Sequence, residues 1–172
     1  RRYDITFTLS DLALVQSRRG HWADAVTMWQ RALDIRKAIS DADPKNVRAL
    51  TGVATLLGRL ALGARAEGDL DTAIGRGREE LRLREQLVAV RGVMPATRAD
   101  RAWAALRLAE SLTDRSDGLP AGAARAMRGE ALALVRGTTD EDGTASVPAG
   151  SQPDFVVLRK GLLARLGGAA SR

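Results

Sequence analysis

The sequence predicts an all-α protein built from repeated helical hairpins. Apolar residues recur at helical spacing along most of the chain, and alternating Val/Ile/Thr runs bounded by hairpin turns do not occur. One helix pair also recurs at an offset of 48 residues. The 172 residues, 45% hydrophobic and 28% charged, suffice for about one domain with a real core. Aromatic residues make up only 3%, so that core must be built from Leu, Ala and Val.

Taken in order, Leu9, Leu12 and Val15 mark a first helix that Gly20 stops. Trp22, Ala25, Val26, Trp29, Ala32, Leu33 and Ile35 mark a second, running through Ile39 toward Asp43. Asp43-Pro44 reads as a cap with Pro at the first helical position. Val47, Leu50, Val53, Leu56, Leu57, Leu60 and Ala61 form a third helix up to Gly68, and Leu70 to Leu87 a fourth up to Gly92. Thr97 with Asp100 resembles a capping box ahead of Ala102, Trp103, Leu106, Leu108, Ala109 and Leu112. After Leu119-Pro120, a helix through Ala124, Met127, Ala131, Leu134 and Val135 stops at Gly137. Residues 138–152 read as a loop, and 153–167 as a helix whose stripe of Phe155, Leu158, Leu162 and Leu166 caps the last repeat.

Gly20-His21-Trp22-Ala23-Asp24-Ala25-Val26 aligns with Gly68-Asp69-Leu70-Asp71-Thr72-Ala73-Ile74. Upstream, Leu9, Leu12 and Ala13 align with Leu57, Leu60 and Ala61 at the same offset. The repeats are placed at 5–43, 45–92 and 97–137, the third being degenerate. A single hairpin cannot bury its own apolar face, so the repeats imply a solenoid. Leu9, Leu12, Ala13, Gly20, Trp22, Ala25, Trp29, Ala32 and Leu33 resemble the small/large pattern of the tetratricopeptide repeat. That resemblance implies a right-handed α-solenoid of about three hairpins plus a C-terminal capping helix. Small side chains at Ala13 and Ala25 let the helices of a hairpin touch, and Ala32 admits the next repeat. Repeat two departs from the pattern with Gly77 in the aromatic place and Glu80 at the last small one. The spacing exceeds the family's usual length of about 34 residues. This long variety, with the stretches LDIRKAISDADPKN (33–46) and EGDLDTAI (67–74), is similar over residues 6–91 to repeats carried C-terminal to bacterial eukaryotic-like Ser/Thr kinases, which implies a regulatory or docking piece of a larger signalling protein.

The chemistry needed for catalysis is hard to assemble here. The chain has no Cys and a single His, which excludes thiol catalysis, disulfides and multi-His metal sites. His21 lies at a turn, where a surface or capping role fits it better than catalysis. Gly75-Arg76-Gly77 lacks the third Gly and the preceding strand of a phosphate loop, so both glycines read as close-packing positions. Asp140-Glu141-Asp142-Gly143 lacks the ligand spacing of a calcium loop and reads as solvated. No enzyme, cofactor, metal or small-molecule substrate is expected.

The expected functional surface is a concave groove lined by the first helix of each repeat, which the resemblance assigns to partner binding. Repeat one supplies Phe7, Ser10, Leu14 and Arg18, and repeat two Thr55, Gly58, Leu62 and Arg65. Repeat three supplies Trp103, Leu106, Glu110 and Asp114. Such a mixture of apolar, small and charged residues suits a peptide or helix of a protein partner. Relatives that grip a C-terminal carboxylate use Lys and Asn where Ser10 and Leu14 stand here, so that specificity is not expected. Self-association, or service as a spacer beside a kinase domain, is the alternative.

The net charge is +6, but only Lys37, Lys45 and Lys160 are lysines among 27 basic residues. This arginine bias reads as the codon usage of a GC-rich genome, and runs such as Arg78-Glu79-Glu80-Leu81-Arg82 as salt-bridged helix faces. Nucleic-acid or anionic-surface binding through Arg76, Arg78, Arg82 and Arg84 is therefore the weakest of the readings. The apolar stretch 49–58 is too short to span a membrane. A cytoplasmic setting is expected, or an extracytoplasmic one should a parent protein be membrane-anchored.

Overall fold

The computed structural model describes residues 2–144 and 155–167. Every regular element among them is helical: α1 (Arg2–Arg18), α2 (Trp22–Ala42), α3 (Val47–Ala66), α4 (Leu70–Arg91), α5 (Pro95–Ser116), α6 (Ala121–Arg136), a 3₁₀ turn (Asp140–Thr144) and α7 (Phe155–Gly167). The chain divides into two compact units, Arg1–Leu87 and Val88–Arg172.

Helix ends follow local chemistry. Gly20, Gly68 and Gly92 all take φ near +82°, the left-handed conformation a side chain resists, and each terminates a helix where the sequence placed a stop. Two expected starts move. Asp43 closes α2, its N–H donating to the Ile39 carbonyl, while Asn46 caps α3 by accepting the Ala49 N–H at 3.0 Å. Pro44 thus stands in the turn between them, not at the first position of α3. Likewise Met94 is the N-cap of α5 and Pro95 its first residue. Thr97 sits one turn inside, accepting the Met94 N–H at 3.0 Å, so its hydroxyl secures the cap without being the cap. The C-terminal helix begins at Phe155; positions 151–154, where its start was expected, lie outside the described residues.

In the first unit, the contacts define two layers. α1 and α3 lie side by side, joined by Arg59 donating to the Ser10 hydroxyl and by Tyr3 Oη donating to the Arg48 carbonyl at 3.0 Å. α2 backs both of them and α4 backs α3. Between α2 and α4 run Lys37–Glu79 at 3.0 Å and Arg76–Gln30 at 3.2 Å. The core joins Ala13, Ala25, Trp29, Ala32, Leu33, Val53, Ala54, Leu56, Leu57, Leu60, Leu83 and Leu87. The alanines expected to permit close approach, Ala13, Ala25 and Ala32, are fully buried within it.

Leu12 and Val15, which mark the first helix by their spacing, are exposed, and with Ile5 they form an apolar outer strip on α1. Their counterparts on α3 are Leu60 and Gly63, and that of Ile5 is Val53. All three counterparts are buried, because α2 packs there. No helix of the first unit occupies the matching side of α1.

α3 carries three glycines at which the helix admits a neighbour's side chain. A Cβ on Gly52 would stand 2.0 Å from Arg36 Nη1, one on Gly58 2.5 Å from Glu80 Oε2, and one on Gly63 2.5 Å from Val26 Cγ2. The close-packing role expected of Gly75 belongs to these residues. Gly75 itself is exposed with nothing near its Cβ position, whereas Gly77 is buried. α3 is also long and apolar enough to cross a membrane, contrary to the reading of residues 49–58 alone. About 61% of its most apolar window is buried inside the protein, as befits a core helix.

The second unit is a three-helix arrangement. Phe155 of α7 meets Trp103 of α5 edge-on at 5.1 Å, and Leu162 and Leu166 are buried. Arg165 reaches Asp114 at 3.1 Å and Asp117 at 3.3 Å. Contacts at Trp103 and Asp114 answering to Phe155 and Arg165 make α7 run parallel to α5. The acidic turn is not the solvated loop expected. Asp142 is buried, accepting the Thr139 N–H at 2.7 Å and pairing with Arg98 at 2.9 Å, while Asp140 pairs with Arg159 at 2.8 Å.

Candidate functional site

The groove-lining residues expected from the repeat divide between the two units. Those of the first unit share one face because α1 and α3 lie in one layer. Phe7 is exposed at 44%, Arg18 is exposed, and Leu14, Thr55, Leu62 and Arg65 are half-buried. Ser10 and Gly58 do not line an open surface. Ser10 is buried where it accepts from Arg59, and Gly58 is covered by the Glu80 carboxylate. In the second unit Trp103 and Leu106 are also buried, correcting their expected exposure. Phe155 covers Trp103, while Glu110 and Asp114 are half-buried.

Beneath the α1/α3 face lies a polar seam that the sequence reading missed. Arg36 of α2 is 7% exposed, and its Nε donates to Thr6 Oγ1 at 2.9 Å. Its guanidinium stacks 4.9 Å from the Tyr3 ring centroid and 4.8 Å from that of Phe7. Arg48 lies 4.5 Å over the Tyr3 ring and 5.9 Å from Phe7. One repeat on, Arg84 of α4 occupies the position equivalent to Arg36 and donates to Thr55 Oγ1 at 3.1 Å. There Glu80, one turn earlier on α4, stands 3.6 Å from Arg84 Nε and is 1% exposed. Gly58 makes room for that carboxylate. In the first hairpin, Ala32 occupies the place of Glu80 and Ser10 the place of Gly58.

Electrostatics follow this difference. Burial lowers the pKa of the Arg36 guanidinium, nearby Tyr3 opposes the shift, and Arg48 adds to it. Burial also lowers that of Arg59, with Asp11 opposing and Arg36 adding. Arginine stays protonated through shifts of this kind, so both remain cations. A signal for the seam was present in the sequence: Arg36 and Arg84 sit 48 residues apart at core positions of amphipathic helices.

The remaining candidate motifs resolve into structure. His21 precedes α2 but makes no side-chain capping bond, its Nδ1 standing 3.0 Å from Gln16 Oε1. Its repeat counterpart, Asp69, does accept the Thr72 N–H, at 3.1 Å. Of the arginines weighed for nucleic acid, Arg84 is buried against Glu80 and Arg76 is engaged with Gln30, which interrupts a continuous phosphate track. Among the described residues, no group of three His, Cys, Asp or Glu side chains could hold a metal ion. No protein-family model, curated protein or solved structure matches the chain.

Proposed function

We propose that this chain is a protein-interaction module of tetratricopeptide-repeat type, taking a peptide or helix of a protein partner on the face shared by α1 and α3. The side-by-side packing of α1 and α3 carries the reading. It places the repeat-equivalent residues Leu14 and Leu62, both half-buried, on one layer with exposed Phe7. In this reading the hairpins stack as a solenoid, the module is not itself an enzyme, and it serves a larger bacterial signalling protein of Ser/Thr kinase type. Peptides selected from a random display library against the chain test it. Leu62→Arg should weaken their binding at least tenfold with the helical circular dichroism and melting temperature retained. Unchanged binding by that folded variant refutes the assignment.

A second reading, self-association, draws on the apolar strip of Ile5, Leu12 and Val15, whose α3 counterparts are buried against α2. Light scattering over a concentration series should then show a dimer that Leu12→Glu dissociates. A monomer at every concentration excludes it.

A further inference from the structure

The α1/α3 face carries three arginines that no carboxylate contacts directly among the described residues. Arg36, Arg48 and Arg59 converge there from α2 and α3. Arg36 is buried beneath Tyr3 and Phe7, Arg48 is exposed beside them, and Arg59 is half-buried against Ser10. None of the three forms an ion pair among the described residues. Asp11 is the acid whose field reaches Arg59, and the field of Arg36 opposes it.

The second hairpin shows how this protein neutralises a buried guanidinium when no ligand is needed. Glu80 is placed one turn before Arg84, and Gly58 is kept free of a side chain to seat it. The first hairpin omits both devices, with Ala32 and Ser10 in those places. A cation buried without a counter-ion is costly, and an arriving carboxylate offsets that cost. The two rings beside the cations supply apolar contact area, with Phe7 44% exposed.

We infer that the α1/α3 face binds an acidic segment of a protein partner, whose side-chain carboxylates pair with Arg48 and Arg59 above Arg36 while its apolar residues lie on Tyr3 and Phe7. The inference rests on the partner-binding reading and specifies the partner's chemistry. Guanidinium groups suit this task because their planar donors match a carboxylate bidentately.

The experiment compares two fluorescein-labelled peptide libraries on the full 172-residue chain. One is Asp/Glu-rich with interspersed Leu, and the other replaces each acid by Asn or Gln. Anisotropy measures affinity, and amide chemical shifts locate the site. The acidic library should yield binders at least tenfold tighter than the neutral one, with shifts confined to α1, α3 and the Arg36 turn of α2. Raising sodium chloride from 50 to 500 mM should weaken them at least tenfold. Arg48→Glu, its retained fold checked by circular dichroism, should weaken them by a similar factor, and so should Arg36→Met, a second variant of similar bulk. Equal binding of the two libraries on this face overturns the acidic specificity and leaves the partner-binding reading standing. Acidic binders that ignore Arg48→Glu, or that perturb other helices, also overturn it. Absence of acidic binders overturns it as well, and the display selection then decides the broader reading separately.

Discussion

The two hairpins of the first unit share a spacing and a plan, yet solve one problem in different ways. Both send an arginine from the second helix toward a threonine hydroxyl on the first-helix layer, Arg36 to Thr6 and Arg84 to Thr55. In the second hairpin Glu80 compensates the cation inside the fold, and Gly58 yields the space. In the first, small Ala32 admits close packing, and the cation is left to aromatic faces and a hydroxyl. The pair Ser10/Ala32 has been exchanged for Gly58/Glu80, a gain of bulk on one helix matched by a loss on its neighbour. The difference separates a cation neutralised inside the fold from one that keeps only ring faces and a hydroxyl.

The largest effect should come from breaking the compensated hairpin. Glu80→Ala leaves Arg84 buried without its carboxylate, and should cost about 3–5 kcal/mol in urea unfolding. Next come the packing changes. Gly63→Ala drives a methyl into Val26 Cγ2, and Ala25→Leu overfills a fully buried site; each should cost about 1–3 kcal/mol. Ala32→Glu joined with Ser10→Gly transplants the second hairpin's solution into the first. The double variant should be more stable than the sum of the single changes by about 0.5–3 kcal/mol, measured by a double-mutant cycle. Gly75→Ala should act in the opposite direction, stabilising by about 0.5–1 kcal/mol, because the site is open and helical.

Effects of similar size are expected at the helix starts. Asp69 accepts from Thr72, whose hydrogen bonds hold the carboxyl below its ordinary value of 3.8. A folded-state pKa below the unfolded one contributes stability above the unfolded value, which is lost as pH falls through the folded value. Asp69→Asn should therefore flatten the stability profile below about pH 4, read by urea midpoints at successive pH values. At the matching position His21 makes no capping bond, so His21→Asp should add about 1 kcal/mol.

Much of the architecture was legible in the residues. Gly20, Gly68 and Gly92 marked their helix ends because only backbone sterics are involved, and sterics are local. The apolar period disclosed each helix, since burial on one side requires it. Periodicity alone did not reveal that Leu12 and Val15 stay exposed, because a repeat carries the same pattern whether or not a neighbour covers it. Trp103 and Leu106 were assigned to a groove by the same logic, yet both are buried, Trp103 against Phe155 of α7. The acidic turn was misread for a related reason: Arg98 and Arg159, its partners, lie far away in sequence.

By itself, the order of residues determined that the chain is helical, where most helices stop, and that two hairpins repeat at a fixed interval. These properties depend on backbone conformation and on a one-sided apolar pattern, both set by near neighbours along the chain. Only the tertiary structure decided which glycines receive a side chain, which arginine meets a carboxylate, and which apolar strip stays uncovered. Such choices depend on residues brought together from separate helices, and the free energy of a buried charge is set by whatever surrounds it in space.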